Sequence, residues 1–257
     1  MNPFSESASY FGHPSAFWFV ADDSIDYLRR YMTAAAGTGD YYLVVQYIMP
    51  RRDRGGFSGG GAADSGLYLS QVNHIADTIR DKPVILIMEP DELCFDDPQL
   101  ELFHEAIKIY RRKCSKACIF IDAGNPAWRP APMVAERLRK AGIEEADGFS
   151  VNVSSFHPTA RCIRYGDSIA RYFPGKKYVI DTSRNGGSNP AYPDIFDPQG
   201  IATGSPPTFD TGNDTCFAFL WVKPPGESDG KVHPAGTFDP KLVEHGPDSV
   251  TGPDRLW

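Results

Sequence analysis

The sequence contains no long apolar run, no cluster of metal-ligand residues and no run of basic residues. Its longest apolar stretches are about the length of a strand, so no segment predicts a membrane-spanning helix. The six histidines are scattered without a His-Glu-x-x-His pattern, and the five cysteines form no Cys-x-x-Cys pair. We therefore expect no metal site, no cofactor and no membrane partner.

The net charge of the chain bears on a further class of partner, the nucleic acids. The net charge is −7, which argues against a nucleic-acid partner and fits an uncharged substrate better. The first ten residues are polar, so no signal peptide is visible, although a mature secreted domain would look the same. With 41% hydrophobic and 23% charged residues, the 257 residues predict one soluble domain over 1–257, which we expect to be a monomer.

Five short apolar runs predict buried strands, and each is followed by acids, a base or glycines. The runs are residues 42–47, 84–88, 117–121, 178–181 and 216–222. Apolar residues recur at helical spacing between them, in residues 23–36, 67–80, 98–113, 133–141 and 167–173. Strands that alternate with helices indicate an α/β fold with a parallel sheet or barrel, in which chemistry is usually placed at the C-terminal ends of the strands.

The run at residues 84–88 ends at Glu89-Pro90-Asp91-Glu92, which places acids at a strand end. A carboxyl group that is half shielded there can have a raised pKa and act as a proton donor. The alternative is an ordinary solvated turn.

Residues 56–60 match the Gly-x-Ser-x-Gly pattern of serine hydrolases. That pattern requires a strand before it and a helix directly after it, whereas here charged residues precede it and a further glycine follows. A phosphate-binding loop would need a following Lys-Ser/Thr, which is missing. We expect a flexible loop beside the site.

Five sequence motifs, taken together, resemble those of a known protein family. They are Tyr47-x-x-Pro50-x-Arg52-Asp53, Met88-Glu89-Pro90-Asp91, Ile121-Asp122-Ala123-Gly124-x-x-x-Trp128, Asp181-x-x-Arg184-Asn185-Gly186 and Trp221-Val222-Lys223-Pro224-x-Gly226-Glu227-x-Asp229-Gly230. In this order, and over nearly the whole chain, they resemble family 6 of the glycoside hydrolases, inverting β-1,4-glucanases that include endo- and exo-acting cellulases. The resemblance implies a distorted parallel β/α barrel with fewer than eight strands and a cleft at the C-terminal ends of the strands.

The resemblance also implies catalytic roles. Asp91 would be the general acid, and Asp53 the neighbouring acid that keeps Asp91 protonated. Asp229 would be the base, acting directly or through a chain of waters, and Tyr47 would lie beneath the distorted sugar. Inversion requires two carboxyl groups about 6.5–9.5 Å apart, which separate strand ends can supply.

Six further residues would bind substrate or hold the site together. By resemblance, two arginines would fix the carboxylates, three polar residues would bind sugar hydroxyls and one aromatic residue would stack on a sugar ring: Arg52 and Arg184, then Asp122, Lys223 and Glu227, then Trp128. The alternatives are a turn cap for Asp122, a solvated pair for Lys223 and Glu227, and a core position for Trp128.

The chain departs from the family pattern at several positions. Family members commonly carry cysteine at the positions of Arg54 and Ser228, so the usual two disulfides cannot both form. Trp-Cys is replaced by Ile195-Phe196, which removes one sugar-stacking platform, and Asn125 stands where histidine is frequent. Either the protein works in a reducing compartment or it tolerates the loss of the disulfides; we expect a secreted protein.

The lengths of two segments bear on whether a glucan chain would be cut at internal bonds or from an end. The short glycine-rich segment 54–66 predicts an open groove that accepts internal bonds, whereas the long tail 231–255 resembles a roof-forming loop of exo-acting members. We expect endo action, with a cellobiohydrolase or a non-catalytic glucan-binding protein on the same scaffold as alternatives.

Overall fold

The computed structural model describes residues 3–35, 41–190 and 195–246. Its contacts divide the chain into two compact units. We call Phe17–Gly124 with Arg129–Phe149 the N-unit, and Met1–Ala16, Asn125–Trp128 and Ser150–Leu256 the C-unit. The single domain over residues 1–257 stays a prediction.

The described residues form seven β-strands and six α-helices. The strands are β1 Phe17–Phe19, β2 Tyr42–Gln46, β3 Val84–Met88, β4 Ala117–Asp122, β5 Gly148–Val151, β6 Lys177–Asp181 and β7 Cys216–Leu220. The helices are α1 Pro3–Phe11, α2 Ile25–Ala34, α3 Ser65–Ile79, α4 Leu100–Lys113, α5 Ala131–Lys140 and α6 Thr159–Ala170.

In the N-unit, β1 to β4 are parallel neighbours in chain order. Val44 at the centre of β2 is in register with Phe17 of β1 and Leu86 of β3. β2 and β3 are buried along their full length, which is why their sequences are apolar runs rather than alternating patterns. The parallel direction brings the C-terminal ends of all four strands, and the residues that follow them, to one edge.

In the C-unit, β6 and β7 are also parallel neighbours, with a register shift between Tyr178 and Val179. A cluster of buried apolar residues packs beside them: Phe11, Phe156, Ile201, Trp221 and Val243. Trp221 of this cluster directly follows β7, so the cluster borders the C-terminal end of that strand.

The sequence patterns placed one helix, α6, incorrectly and did not predict two elements, α1 and β1. The pattern at residues 167–173 covers only the end of α6, which begins at Thr159 after Pro158 and buries Cys162, Tyr165 and Ile169. The three-residue β1 and the largely polar α1 gave no clear periodicity. The predicted helix end at residue 36 and the tail beyond residue 246 lie outside the described residues.

None of the helices in the described part of the chain has the length and apolarity needed to span a bilayer.

Candidate active site

Asp91 follows β3 and lies among other acids of the N-unit. The hydroxyl of Tyr47, which follows β2, donates to Asp91 Oδ2 at 3.2 Å. Asp122 at the end of β4 accepts a hydrogen bond from the backbone N–H of Asp91 at 3.0 Å. Residues at the ends of three adjacent strands therefore meet at Asp91, one at its carboxyl group and one at its backbone.

The environment of Asp91 favours its protonated form. Burial raises its pKa well above the ordinary value, and the negative charges of Asp122 and then Asp53 raise it further. The hydrogen bond from Tyr47 acts in the opposite direction but does not reverse the shift. A carboxyl group whose pKa is raised in this way is suited to be a general acid.

Tyr47 is a buried phenol held between aromatic and cationic groups. The ring of Trp18 meets it edge-on with centroids 5.5 Å apart, and the Arg52 guanidinium lies 4.8 Å from its centroid. Burial, followed by the charges of Asp91 and Asp53, raises the pKa of Tyr47, so its hydroxyl stays a donor. The hydroxyl of Tyr47 lies beside Asp91, and its role beneath a sugar ring stays a prediction.

Arg52 and Asp53 organise the loop after β2. Arg52 donates to the carbonyl oxygens of Tyr47, Ser58 and Val20 at 2.7, 2.7 and 2.8 Å. Asp53 Oδ2 accepts from the backbone N–H of Ser58 at 2.9 Å. Asp53–Gly55 is a 3₁₀ turn, and residues 56–64 contain no helix, so the structural context of a serine-hydrolase nucleophile is missing around Ser58.

A second arginine joins the loop of Asp53 to the loop of Asp91. Arg54 makes a bidentate contact with the buried Glu92, at 2.9 and 3.1 Å, and a further bond of 3.1 Å with Asp97. Its guanidinium also lies 4.4 Å from the centroid of Phe95. Arg54 stands where the family pattern led us to expect cysteine, and it makes a non-covalent tie there.

Glu89 is a fully buried carboxyl group that was quoted in a motif but given no role. Its oxygens accept from the N–H groups of Ile48 and Met49 at 3.0 and 2.9 Å and from Gln46 Nε2 at 2.5 Å. Gln46 also accepts from the Tyr110 hydroxyl. Burial raises the pKa of Glu89 to about 7. Glu89 thus fixes the chain directly after β2, where Tyr47 begins the loop.

In the C-unit, Arg184 holds the carboxylate of Asp229. Its Nη1 lies 2.9 Å from Oδ1 and 2.8 Å from Oδ2, and the side chains are only 4% and 12% exposed. Lys223 Nζ lies 3.8 Å from Asp229 Oδ1. The Asp229 carboxylate is thus held by one arginine and lies close to a lysine.

Lys223 and Glu227 are within 3.8 Å of each other and each is 13% exposed, so they are not a solvated surface pair. Burial raises the pKa of Glu227 to about 7, and Lys223 and Arg184 oppose that rise. The pair presents one donor and one carboxyl group with limited access to water, a combination suited to sugar hydroxyls.

Asp181, at the end of β6, was quoted in a motif but given no role. This buried carboxylate accepts from the N–H groups of Ser154, Val222 and Lys223 at 3.0, 3.2 and 3.1 Å. Glu89 and Asp122 bind neighbouring loops in the same way within the N-unit. The signal that could have found this group was in the sequence, since each acid stands at a predicted strand end.

Trp128 is 38% exposed, so it is not a core residue. It follows Asn125, whose side chain binds Ser155 Oγ at 3.0 Å and accepts from the N–H of Ala127 at 2.9 Å. The indole therefore stands on an ordered turn with part of its surface free to meet a ligand.

Comparison with known proteins identifies the class. The profile of the family described as Glycosyl hydrolases family 6 matches residues 7–252. The chain belongs to this family, which confirms the resemblance drawn from the five motifs.

Similar proteins include characterised relatives and solved structures. The chain is 40% identical to endoglucanase A of Thermobispora bispora, over 82% of this chain and 48% of the relative, and 34% identical to endoglucanase 1 of Streptomyces halstedii, over 92% and 79%. It thus spans about half the length of the former. The structure of the endoglucanase Cel6 from Mycobacterium tuberculosis, in complex with methyl-cellobiosyl-4-deoxy-4-thio-β-D-cellobioside, matches with a TM-score of 0.83 at 33% identity, covering 93% of this chain and 87% of that one. The predicted fold class, a distorted parallel β/α barrel with fewer than eight strands, is confirmed.

Proposed function

We propose that the chain hydrolyses internal β-1,4-glucosidic bonds of cellulose or a related β-glucan, with inversion at the anomeric carbon. The observation that carries the proposal is the Asp91 carboxyl group, whose pKa is raised by burial and by Asp122 and Asp53. Family membership and relatives named endoglucanases at 34–40% identity support it.

The residues have distinct roles in this reaction. Asp91 donates its proton to the leaving glycosidic oxygen, and Asp53 and Asp122 keep that proton in place before the reaction. Asp229 accepts a proton from the attacking water, directly or through a further water, while Arg184 holds its carboxylate in place. Tyr47 supports the sugar ring beside Asp91.

The substrate-binding roles follow from exposure and charge. Lys223 and Glu227 hydrogen-bond sugar hydroxyls, and Trp128 stacks on a ring with its exposed face. Arg52 supports the site through the carbonyl oxygens of the loop that carries Asp53.

The test replaces Asp91 and compares it with a nearby acid. Asp91→Asn lowers turnover of carboxymethylcellulose or barley β-glucan by about 10²–10⁴-fold. Asp96→Asn, whose carboxylate is 93% exposed, is the matched control and keeps wild-type turnover. Unchanged turnover in Asp91→Asn would remove Asp91 from the mechanism. The wild type releases the α-anomer first, which NMR of fresh product detects, and a β-anomer would contradict inversion.

Endo action has its own measurement. The 53–60 loop is short and is held down by Arg52, which favours an open groove. Viscosity of carboxymethylcellulose falls steeply before many reducing ends form. Cellobiose as the dominant first product with little loss of viscosity would instead identify a cellobiohydrolase. Glucan binding without new reducing ends between pH 4 and 8 would identify a non-catalytic binder.

The location and oligomeric state belong to the same proposal. A polymeric glucan cannot enter a cell, so the enzyme is extracellular, and it acts as a monomer because one chain carries every proposed catalytic residue. Size-exclusion chromatography tests the second statement, and a dimer would contradict it.

A further inference from the structure

We infer that Asp197 is a positioning residue that fixes the backbone and carboxylate of Asp229, the base in the proposed function on which this inference rests. Asp197 belongs to no motif that we singled out, and its side chain is 9% exposed. It lies in the loop between β6 and β7, whereas Asp229 lies in the loop after β7.

The Asp197 carboxylate receives four hydrogen bonds from the Asp229 loop. The backbone N–H of Asp229 donates to Oδ1 at 2.5 Å. Three donors reach Oδ2, at 2.6, 3.0 and 2.9 Å: the hydroxyl of Ser228 and the N–H groups of Lys231 and Val232. One side chain thus collects donors from both sides of Asp229.

The contact is reciprocal. The backbone N–H of Asp197 donates to Asp229 Oδ2 at 3.2 Å. Asp229 is therefore held at its main chain by the Asp197 carboxylate and at its side chain by the Asp197 backbone and by Arg184. If Asp197 were mobile, the carboxylate of Asp229, which must meet the attacking water, would become mobile as well.

The backbone conformation and the charge of Asp197 both suit its contact with the Asp229 loop. Its φ of 46° lies in the left-handed region, which costs energy in most residues and is tolerated best by Asn and Asp outside glycine. Burial opposes ionisation of Asp197, but the hydrogen bonds from Ser228, Asp229, Val232 and Lys231 outweigh it and lower its pKa. These hydrogen bonds therefore favour the carboxylate form of Asp197, which is the form that accepts them.

Ser228 connects Asp197 to further hydrogen bonds within the Asp229 loop. Its buried hydroxyl lies 2.6 Å from Asp197 Oδ2 and 2.9 Å from the carbonyl oxygen of His233. It also accepts from the N–H groups of Gly230 and His233 at 3.1 and 3.3 Å. A methyl group in place of this hydroxyl would leave several buried polar groups without a partner, which is costly.

The experiment uses Asp197→Asn, which keeps the shape and the tolerance of positive φ but replaces one accepting oxygen by a donor. Ser228→Ala removes the hydroxyl and Ser228→Thr keeps it. Ser188→Ala is the matched control, because the Ser188 hydroxyl binds the carbonyl oxygens of Gln199 and Gly200 in the Asp197 loop rather than the Asp229 loop.

Two readouts are measured on all variants. Hydrogen exchange of residues 229–232 rises in Asp197→Asn and Ser228→Ala and stays unchanged in Ser228→Thr and Ser188→Ala. On cellotetraose, kcat falls by up to about 10²-fold in the first two variants with little change in KM, because a misplaced base affects the transition state more than binding.

The outcomes separate this inference from the proposed function. Faster exchange with unchanged kcat would leave Asp197 a structural tie and overturn the positioning role. Unchanged exchange would overturn the tie itself, whether or not the wild type is active. A wild type that releases no sugar from any β-glucan would sink the proposed function and with it a catalytic positioning role, while the exchange result would still decide the tie.

Discussion

The carboxylate of Asp122 lies against the backbone of Asp91, whose N–H it accepts at 3.0 Å. The same oxygen accepts from the N–H of Gly124 at 3.1 Å. The charge of Asp122 raises the pKa of Asp91 more than any other charge does, ahead of Asp53. Motif resemblance assigned Asp122 to sugar hydroxyls. Its contacts add that it holds Asp91, the proposed general acid, in place and raises its pKa.

Replacing Asp122 by asparagine removes that charge and keeps the size of the side chain. The pKa of Asp91 then falls, so the acid loses its proton at lower pH. We expect the upper limb of the pH profile of kcat/KM to move to lower pH. Asp96→Asn, at an exposed site, leaves the profile in place. An unmoved upper limb in Asp122→Asn would show that the Asp122 charge does not act on the general acid.

Arg54 ties the Asp53 loop to the Asp91 loop through the buried Glu92. Arg54→Ala leaves that carboxylate without its bidentate partner, and we expect a loss of about 2–3 kcal/mol in the free energy of unfolding. Arg29→Ala breaks only an exposed pair with Asp26 and changes stability very little. Urea unfolding measures both variants, and equal stabilities would contradict the tie.

The sequence could predict the buried strands because continuous apolar runs in a chain of this size have few other uses. It located the acids at strand ends for the same reason. It could not predict that Asp197 would meet Ser228 and Val232, because these partners are 31 and 35 residues away in loops without periodicity. It also could not tell which of these acids bind neighbouring loops, since Glu89, Asp91 and Asp181 all stand at or just after a predicted strand end.

Glu89 makes the stability of the fold depend on pH. Its pKa is about 7 when folded, against 4.5 ordinarily, so the folded state holds an extra proton between these values and loses stability as pH rises through them. We expect Glu89→Gln to remove about 2–3 kcal/mol of this fall between pH 4.5 and 7, although the variant is less stable at pH 5 because its amide faces the donor Nε2 of Gln46. Glu136→Gln, at an exposed pair with Lys140, is the control. Parallel pH dependences in Glu89→Gln and wild type would contradict this account.

Reducing agents test whether the protein contains a disulfide bond. All five cysteines are free, and four of them are buried. Because Arg54 and Ser228 make non-covalent ties where the family pattern led us to expect cysteine, we expect the same Tm with and without a phosphine reductant. A Tm that falls by several degrees on reduction would reveal a disulfide and contradict the structure.

Trp128 gives the sharpest test of substrate binding, because its exposed indole can be removed without opening the core. We expect Trp128→Ala to raise KM for cellotetraose by about 5–10-fold, as an aromatic face contributes about 1 kcal/mol to stacking, with a smaller change in kcat and an unchanged Tm. Trp128→Phe keeps a flat face and recovers most of the affinity. Tyr172→Ala removes an aromatic ring that is 45% exposed elsewhere in the C-unit and leaves KM at the wild-type value. If KM were the same in Trp128→Ala and Tyr172→Ala, Trp128 would be an ordinary surface residue, and the remaining affinity would rest on polar groups such as Lys223 and Glu227.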